Sequence, residues 1–103
     1  MKFPRVVKVG ADKYKIRSML KTERDKDYMG LCCYANKTIY LNTEYKEELP
    51  STLLHELLHA IISERNLPAK REEELVVGLE RGLMQVFAEN PKIVDFIFSG
   101  FKK

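Results

Sequence analysis

The chain has no tryptophan, only two histidines and two cysteines, and no apolar run longer than a few residues. A spanning helix needs ~20 consecutive apolar residues, so no membrane partner is expected. The cysteines, Cys32 and Cys33, are adjacent and cannot close a useful loop, which excludes a disulfide scaffold. On a strand they would point to opposite faces, so they do not read as a shared soft-metal site either. The start, Met1-Lys2-Phe3-Pro4-Arg5, breaks off before any stretch long enough for a signal peptide, and a reducing cytoplasmic setting is the expectation. Charge of one sign is also scarce. The 18 basic and 15 acidic side chains leave +3, well mixed along the sequence. No stripe tracks a phosphate backbone, and no nucleic-acid partner is expected.

What is present is an ordinary globular composition, 45% hydrophobic and 32% charged over 103 residues. That length suits one domain, residues 1–103, with one modest core. No repeat, low-complexity tract or Gly/Ser linker divides it.

The first half reads as strands. Val6, Val7 and Val9 precede Gly10-Ala11-Asp12, and Tyr14 and Ile16 follow with period two, which predicts a hairpin. Leu31 to Tyr34 and Thr38 to Leu41 flank Ala35-Asn36-Lys37 and predict a second one. The charged stretch from Thr22 to Asp27 reads as a loop. The second half reads as helices. Leu53, Leu54, Leu57, Leu58, Ala60, Ile61 and Ile62 follow Pro50 at helical spacing, and this helix should end near Asn66, before Pro68. A second helix is expected from about Pro68 to Asn90, carrying Leu75, Val76, Leu79, Leu83, Val86 and Phe87. A third, opened by Pro91, would bury Ile93, Phe96 and Ile97. Strands first and helices after predict an α+β domain, a small N-terminal β-sheet followed by packed helices.

Both histidines belong to one pentapeptide, His55-Glu56-Leu57-Leu58-His59. Positions four apart on a helix lie on one face, one turn apart. Two imidazoles there can bind one zinc ion at ~2.0–2.1 Å each. Glu56, beside that face, is the right type to take a proton from a metal-bound water and pass it to a leaving amine. This is the HExxH arrangement of zinc peptidases. On the same helix the strip Thr52, His55, Glu56, His59 and Ser63 contains no lysine or arginine. Strips facing bulk water usually collect long charged side chains, so this one points to an enclosed cleft.

Zinc needs a third protein ligand and an open position. No third histidine exists, so a carboxylate must serve, and the next helix offers Glu72, Glu73, Glu74 and Glu80. On a helical wheel Glu74 points to solvent and Glu72 falls near the centre of the apolar stripe. Glu73 lies at its edge, in line with Val76, Val77, Glu80 and Met84. An edge side chain packs by its stem and still reaches a cleft, which favours Glu73, with Glu72 next.

With His55-Glu56-Leu57-Leu58-His59-Ala60 after a strand and a glutamate on the next helix, the sequence resembles a gluzincin metallopeptidase domain. Its size and element order are similar to the minigluzincins, and it also resembles short HExxH proteins of prokaryotes and their phages. The resemblance covers about Tyr34 to Pro91 and implies a zincin-like fold. It implies His55, His59 and Glu73 as Zn2+ ligands and Glu56 as general base and acid. It further implies a peptide or protein substrate lying as an added strand along Thr38 to Asn42. No clear histidine or arginine is left to steady an oxyanion, and Tyr34, Tyr40 and Tyr45 are the candidate donors.

Two other readings compete. One is a metal-binding scaffold or regulator that does not cleave. The other is a nucleic-acid-binding helix-turn-helix, which the acidic Glu72-Glu73-Glu74 start argues against. The run from Ile93 to Phe101 is expected to dock as a helix on the core. The alternatives are a homodimer contact, or an end that folds back over the cleft and holds the enzyme latent by self-inhibition.

Overall fold

The computed structural model describes residues 2–20 and 28–101; the loop expected from Thr22 to Asp27 lies outside them. Four strands come first: β1 (Val6–Val9), β2 (Asp12–Ser18), β3 (Gly30–Cys33) and β4 (Thr38–Leu41). A 3₁₀ turn, Lys46–Glu48, leads into three helices, α1 (Leu49–Glu64), α2 (Glu72–Glu89) and α3 (Pro91–Ser99). The α+β class is as expected.

Both hairpins form. β1 and β2 pair antiparallel, with Val9 opposite Asp12 across a two-residue loop. Gly10 sits there at φ +61°, the first central position where such loops need a left-handed residue. β3 and β4 pair antiparallel, Cys33 opposite Thr38. β4 also runs parallel to β2, Ile16 beside Ile39, so the sheet order is β1-β2-β4-β3. β4 is therefore an inner strand and β3 an edge.

Alternation along β2 buries Tyr14 and Ile16 and exposes Lys13, Lys15 and Arg17. Tyr14 and Ile16 meet Val9, Ile39 and Leu41 from the sheet and Leu49 and Ala60 from α1. Helix α1 thus covers one sheet face. Its C-terminus is tied to the strand turns by Glu64, which accepts hydrogen bonds from Tyr14 Oη at 2.8 Å and Lys37 Nζ at 2.7 Å.

Two helix expectations are corrected. The second helix begins at Glu72, not near Pro68. Asn66, at φ +53°, closes α1 with paired bonds, Asn66 N–H to Ser63 O and Leu67 N–H to Ile62 O. That Schellman closure sends the chain away before Pro68 can open a helix, and the connection runs on to Arg71. The third helix does not bury Ile93, Phe96 or Ile97, all of which stay exposed. Asn90 leaves helical geometry at φ −135°, ψ 63°, and Pro91 opens a separate helix whose contacts are chiefly with α2. No helix among the described residues is long and apolar enough to cross a membrane.

Candidate metal centre

Helix α1 carries Thr52, His55, Glu56 and His59 along the side that meets α2 and the β3 edge, and all four line a cavity of about 510 Å3. Ser63, expected in the same strip, is exposed outside it. Helix α2 supplies Glu72, Glu73 and Glu80, and the segment Tyr28 to Cys32 with Tyr34 forms the opposite wall.

The two imidazoles turn the same ring nitrogen toward one carboxylate oxygen. Glu73 Oε1 lies 3.1 Å from His55 Nε2 and 2.7 Å from His59 Nε2. One ligand atom from each of the three residues falls within 4.8 Å of the others, so the group can hold a metal ion. Three donors at ~2.0–2.2 Å from one ion stand about 3.3 Å apart, so small adjustments suffice. The donor chemistry, two neutral nitrogens and a carboxylate oxygen, suits zinc and other first-row divalent ions and does not single out zinc.

The far ring nitrogens are also occupied. His59 Nδ1 is 2.6 Å from Glu72 Oε2, and His55 Nδ1 is 3.4 Å from Glu80 Oε1. Glu72 in turn accepts a hydrogen bond from Tyr34 Oη at 3.1 Å. A carboxylate behind a histidine fixes its tautomer, putting the proton on Nδ1 and the lone pair on Nε2. Glu74, by contrast, faces solvent and pairs with Arg71. Glu73 is thus the carboxylate between the histidines, while Glu72 stands behind one of them.

Electrostatics follow from this crowding. Burial disfavours the charged form of His59, but its bonds to Glu72 and Glu73 and the nearby Glu56 outweigh that and raise its pKa. Glu73 is lowered: burial works against its ionised form, and the two histidines prevail. Glu56 is buried, and burial raises its pKa against the opposing pull of both histidines. Its carboxylate makes no hydrogen bond among the described residues. It faces β3 so closely that a Cβ on Gly30 would sit 3.0 Å from Glu56 Oε2 and 2.6 Å from Thr52 Cγ2.

The rim differs from the expectation. Thr38–Leu41 is flanked by β2 and β3, so its hydrogen-bonding edges are both used. The strand beside the cavity is β3, whose outer edge carries no partner strand among the described residues. Of the three tyrosines named as donors, Tyr34 lines the cavity and Tyr40 and Tyr45 do not, while Tyr28 does. Buried Asn42 pins this wall, donating from Nδ2 to Tyr28 O at 2.8 Å and from its backbone N–H to Met29 O at 2.8 Å. The cysteines diverge as the strand pleat requires: Cys32 lines the cavity and packs on the core, and Cys33 does neither. Burial, then the charge of Glu56, pushes the Cys32 thiol up to about 12, so it is no ready thiolate ligand.

Of the second carboxylate layer, the facing argument sets Glu80 in line with Glu73 but gives neither Glu80 nor Glu72 its place behind a histidine. Glu73 and Glu80 are seven residues apart, two helical turns, and therefore share a face. In comparisons with protein-family models, curated proteins and solved structures, none matches this chain.

Proposed function

We propose that this chain is a minimal metallopeptidase of gluzincin type, in which His55, His59 and Glu73 hold a zinc ion and Glu56 is the general base. The observation that carries the reading is the convergence of His55 Nε2 and His59 Nε2 on Glu73 Oε1 beside the buried Glu56. The ion, when bound, supplies Lewis acidity toward a carbonyl oxygen and lowers the pKa of a water toward ~7.

The chain's own residues do the rest. Glu56, buried and with no hydrogen bond among the described residues, accepts the proton of the attacking water and returns it to the leaving amine. Glu72 and Glu80 orient the imidazoles from behind. An extended peptide lies along the open edge of β3, in place of the Thr38–Asn42 rim, and its backbone pairs as an added strand. The hydroxyl of Tyr28, on the cavity wall, supplies a donor to the substrate, while that of Tyr34 is engaged by Glu72. The two free cysteines accord with work in a reducing cytoplasm.

A non-cleaving metal-binding scaffold is the second reading. It is favoured by one observation: among the described residues no lysine or arginine lines the cavity to steady a developing oxyanion. The discriminating experiment is hydrolysis of a quenched fluorescent peptide library by zinc-loaded chain, wild type beside Glu56→Gln. Peptidase function requires cleavage by wild type, lost in Glu56→Gln while metal content stays level. A zinc-loaded wild type that cleaves nothing leaves the scaffold reading, and cleavage that survives in Glu56→Gln removes Glu56 from the mechanism.

A further inference from the structure

Helices α2 and α3 run for 18 and 9 residues, yet Val76 is the one buried side chain on them. A nine-residue helix is not stable alone in water, and helices in proteins are held chiefly by burying an apolar face. Here the apolar face is open. On α2, Leu75, Leu79 and Val86 are exposed and fall within about 40° of each other around the helix axis. On α3, Ile93, Phe96, Ile97 and Phe98 are exposed, as is Phe101 just beyond it.

We infer that this arm, α2 with α3, is the interface of a homodimer, each copy covering the other's apolar helices. The area is of the right size. Phe96 shares a face of α3 with Ile93 and Ile97 and is 78% exposed; at roughly 200 Å2 per ring it leaves about 160 Å2 open. The five aliphatic residues bring the open apolar area to about 600 Å2, the upper end for a monomer's largest patch. Covered on both copies, that is about 1,200 Å2, the lower end of a standard-size interface.

The side of α2 that carries the leucines also carries Gly78 and Gly82, four residues apart, and a Cβ at either would meet nothing within 4 Å. Glycine inside a helix costs about 1 kcal/mol relative to alanine. Two of them on an open helix side serve no contact within the monomer, but they let a second helix approach closely. Charge favours a copy of the same chain over a lipid surface. The exposed charged residues nearest the leucines around α2, Arg71 at its start and Glu89 at its end, are one of each sign, whereas membrane-surface helices carry a lysine- and arginine-rich polar face. Mixed signs are self-complementary under a two-fold axis. Leu75, Leu79 and Val86 lie about 100° or more around α2 from Glu73 and Glu80, so pairing here leaves the metal centre open.

The test is the solution mass of the full chain by analytical ultracentrifugation from about 1 to 100 μM, wild type beside Phe96→Glu and Leu79→Glu. Both changes fall on exposed side chains, and circular dichroism checks that each variant folds. The expected result is a wild-type mass near twice 12.0 kDa, with pairing weakened at least ~30-fold in each variant. A wild type that stays monomeric at 100 μM overturns the inference, as does a dimer whose mass neither variant changes. Flotation with phosphatidylserine vesicles completes the test: a wild-type monomer that floats assigns the patch to a lipid surface and refutes the dimer.

Discussion

Removing the carboxylates behind the histidines should weaken metal binding in an order set by their contacts. Such partners typically contribute 10- to 100-fold in metal affinity, about 1.4–2.7 kcal/mol. Glu72 lies 2.6 Å from His59 Nδ1 and is itself held by the Tyr34 hydroxyl, so its removal frees both the ring and the tyrosine. Glu80 lies 3.4 Å from His55 Nδ1, a weaker contact. Glu72→Ala is therefore expected near ~100-fold and Glu80→Ala near ~10-fold. Glu72→Gln, which keeps an accepting oxygen, should recover most of the loss. The assay is competition for zinc against a chromophoric chelator at one fixed pH, because metal binding displaces protons. A larger loss in Glu80→Ala than in Glu72→Ala would refute the reasoning, as would losses below about twofold in both.

Two further outcomes follow from contacts away from the ion. Gly30→Ala forces a methyl to within 2.6 Å of Thr52 Cγ2 and 3.0 Å of Glu56 Oε2; overpacking of this kind costs about 1–3 kcal/mol, read as a lowered urea midpoint. An unchanged midpoint would mean β3 shifts freely. Lys37 chiefly, with Tyr14, holds the Glu64 carboxyl below its ordinary value. The stabilisation from a lowered carboxyl is present above its unfolded pKa of about 4.3 and is lost as pH falls through the folded value. The stability gap between wild type and Lys37→Met should then be full near pH 7 and shrink below about pH 4. A gap that grows on acidification would contradict that sign.

The helix bearing His55, Glu56 and His59 is legible because its signals are local: apolar spacing, Pro50 near its start, and two histidines one turn apart. Glu73 is chosen from the wheel of one helix alone, and the structure brings its Oε1 between the histidines. What sequence does not carry is pairing at a distance. Nothing near Thr38–Leu41 says that it slips between β2 and β3, because the parallel pairing joins segments some twenty residues apart. The rim therefore falls to β3, not β4. Periodicity in Ile93, Phe96 and Ile97 shows that α3 has an apolar face, but not what meets it. Pro68 reads as a helix start until the left-handed Asn66 redirects the chain.

Metal content per chain, by elemental analysis after zinc loading and exhaustive dialysis, tests the central claim most directly on wild type, His59→Ala and Glu73→Ala. About one ion per wild-type chain is expected, with none retained by either variant. Wild type that retains no metal would contradict the centre itself, and a Glu73→Ala chain that binds as wild type does would remove Glu73 from it.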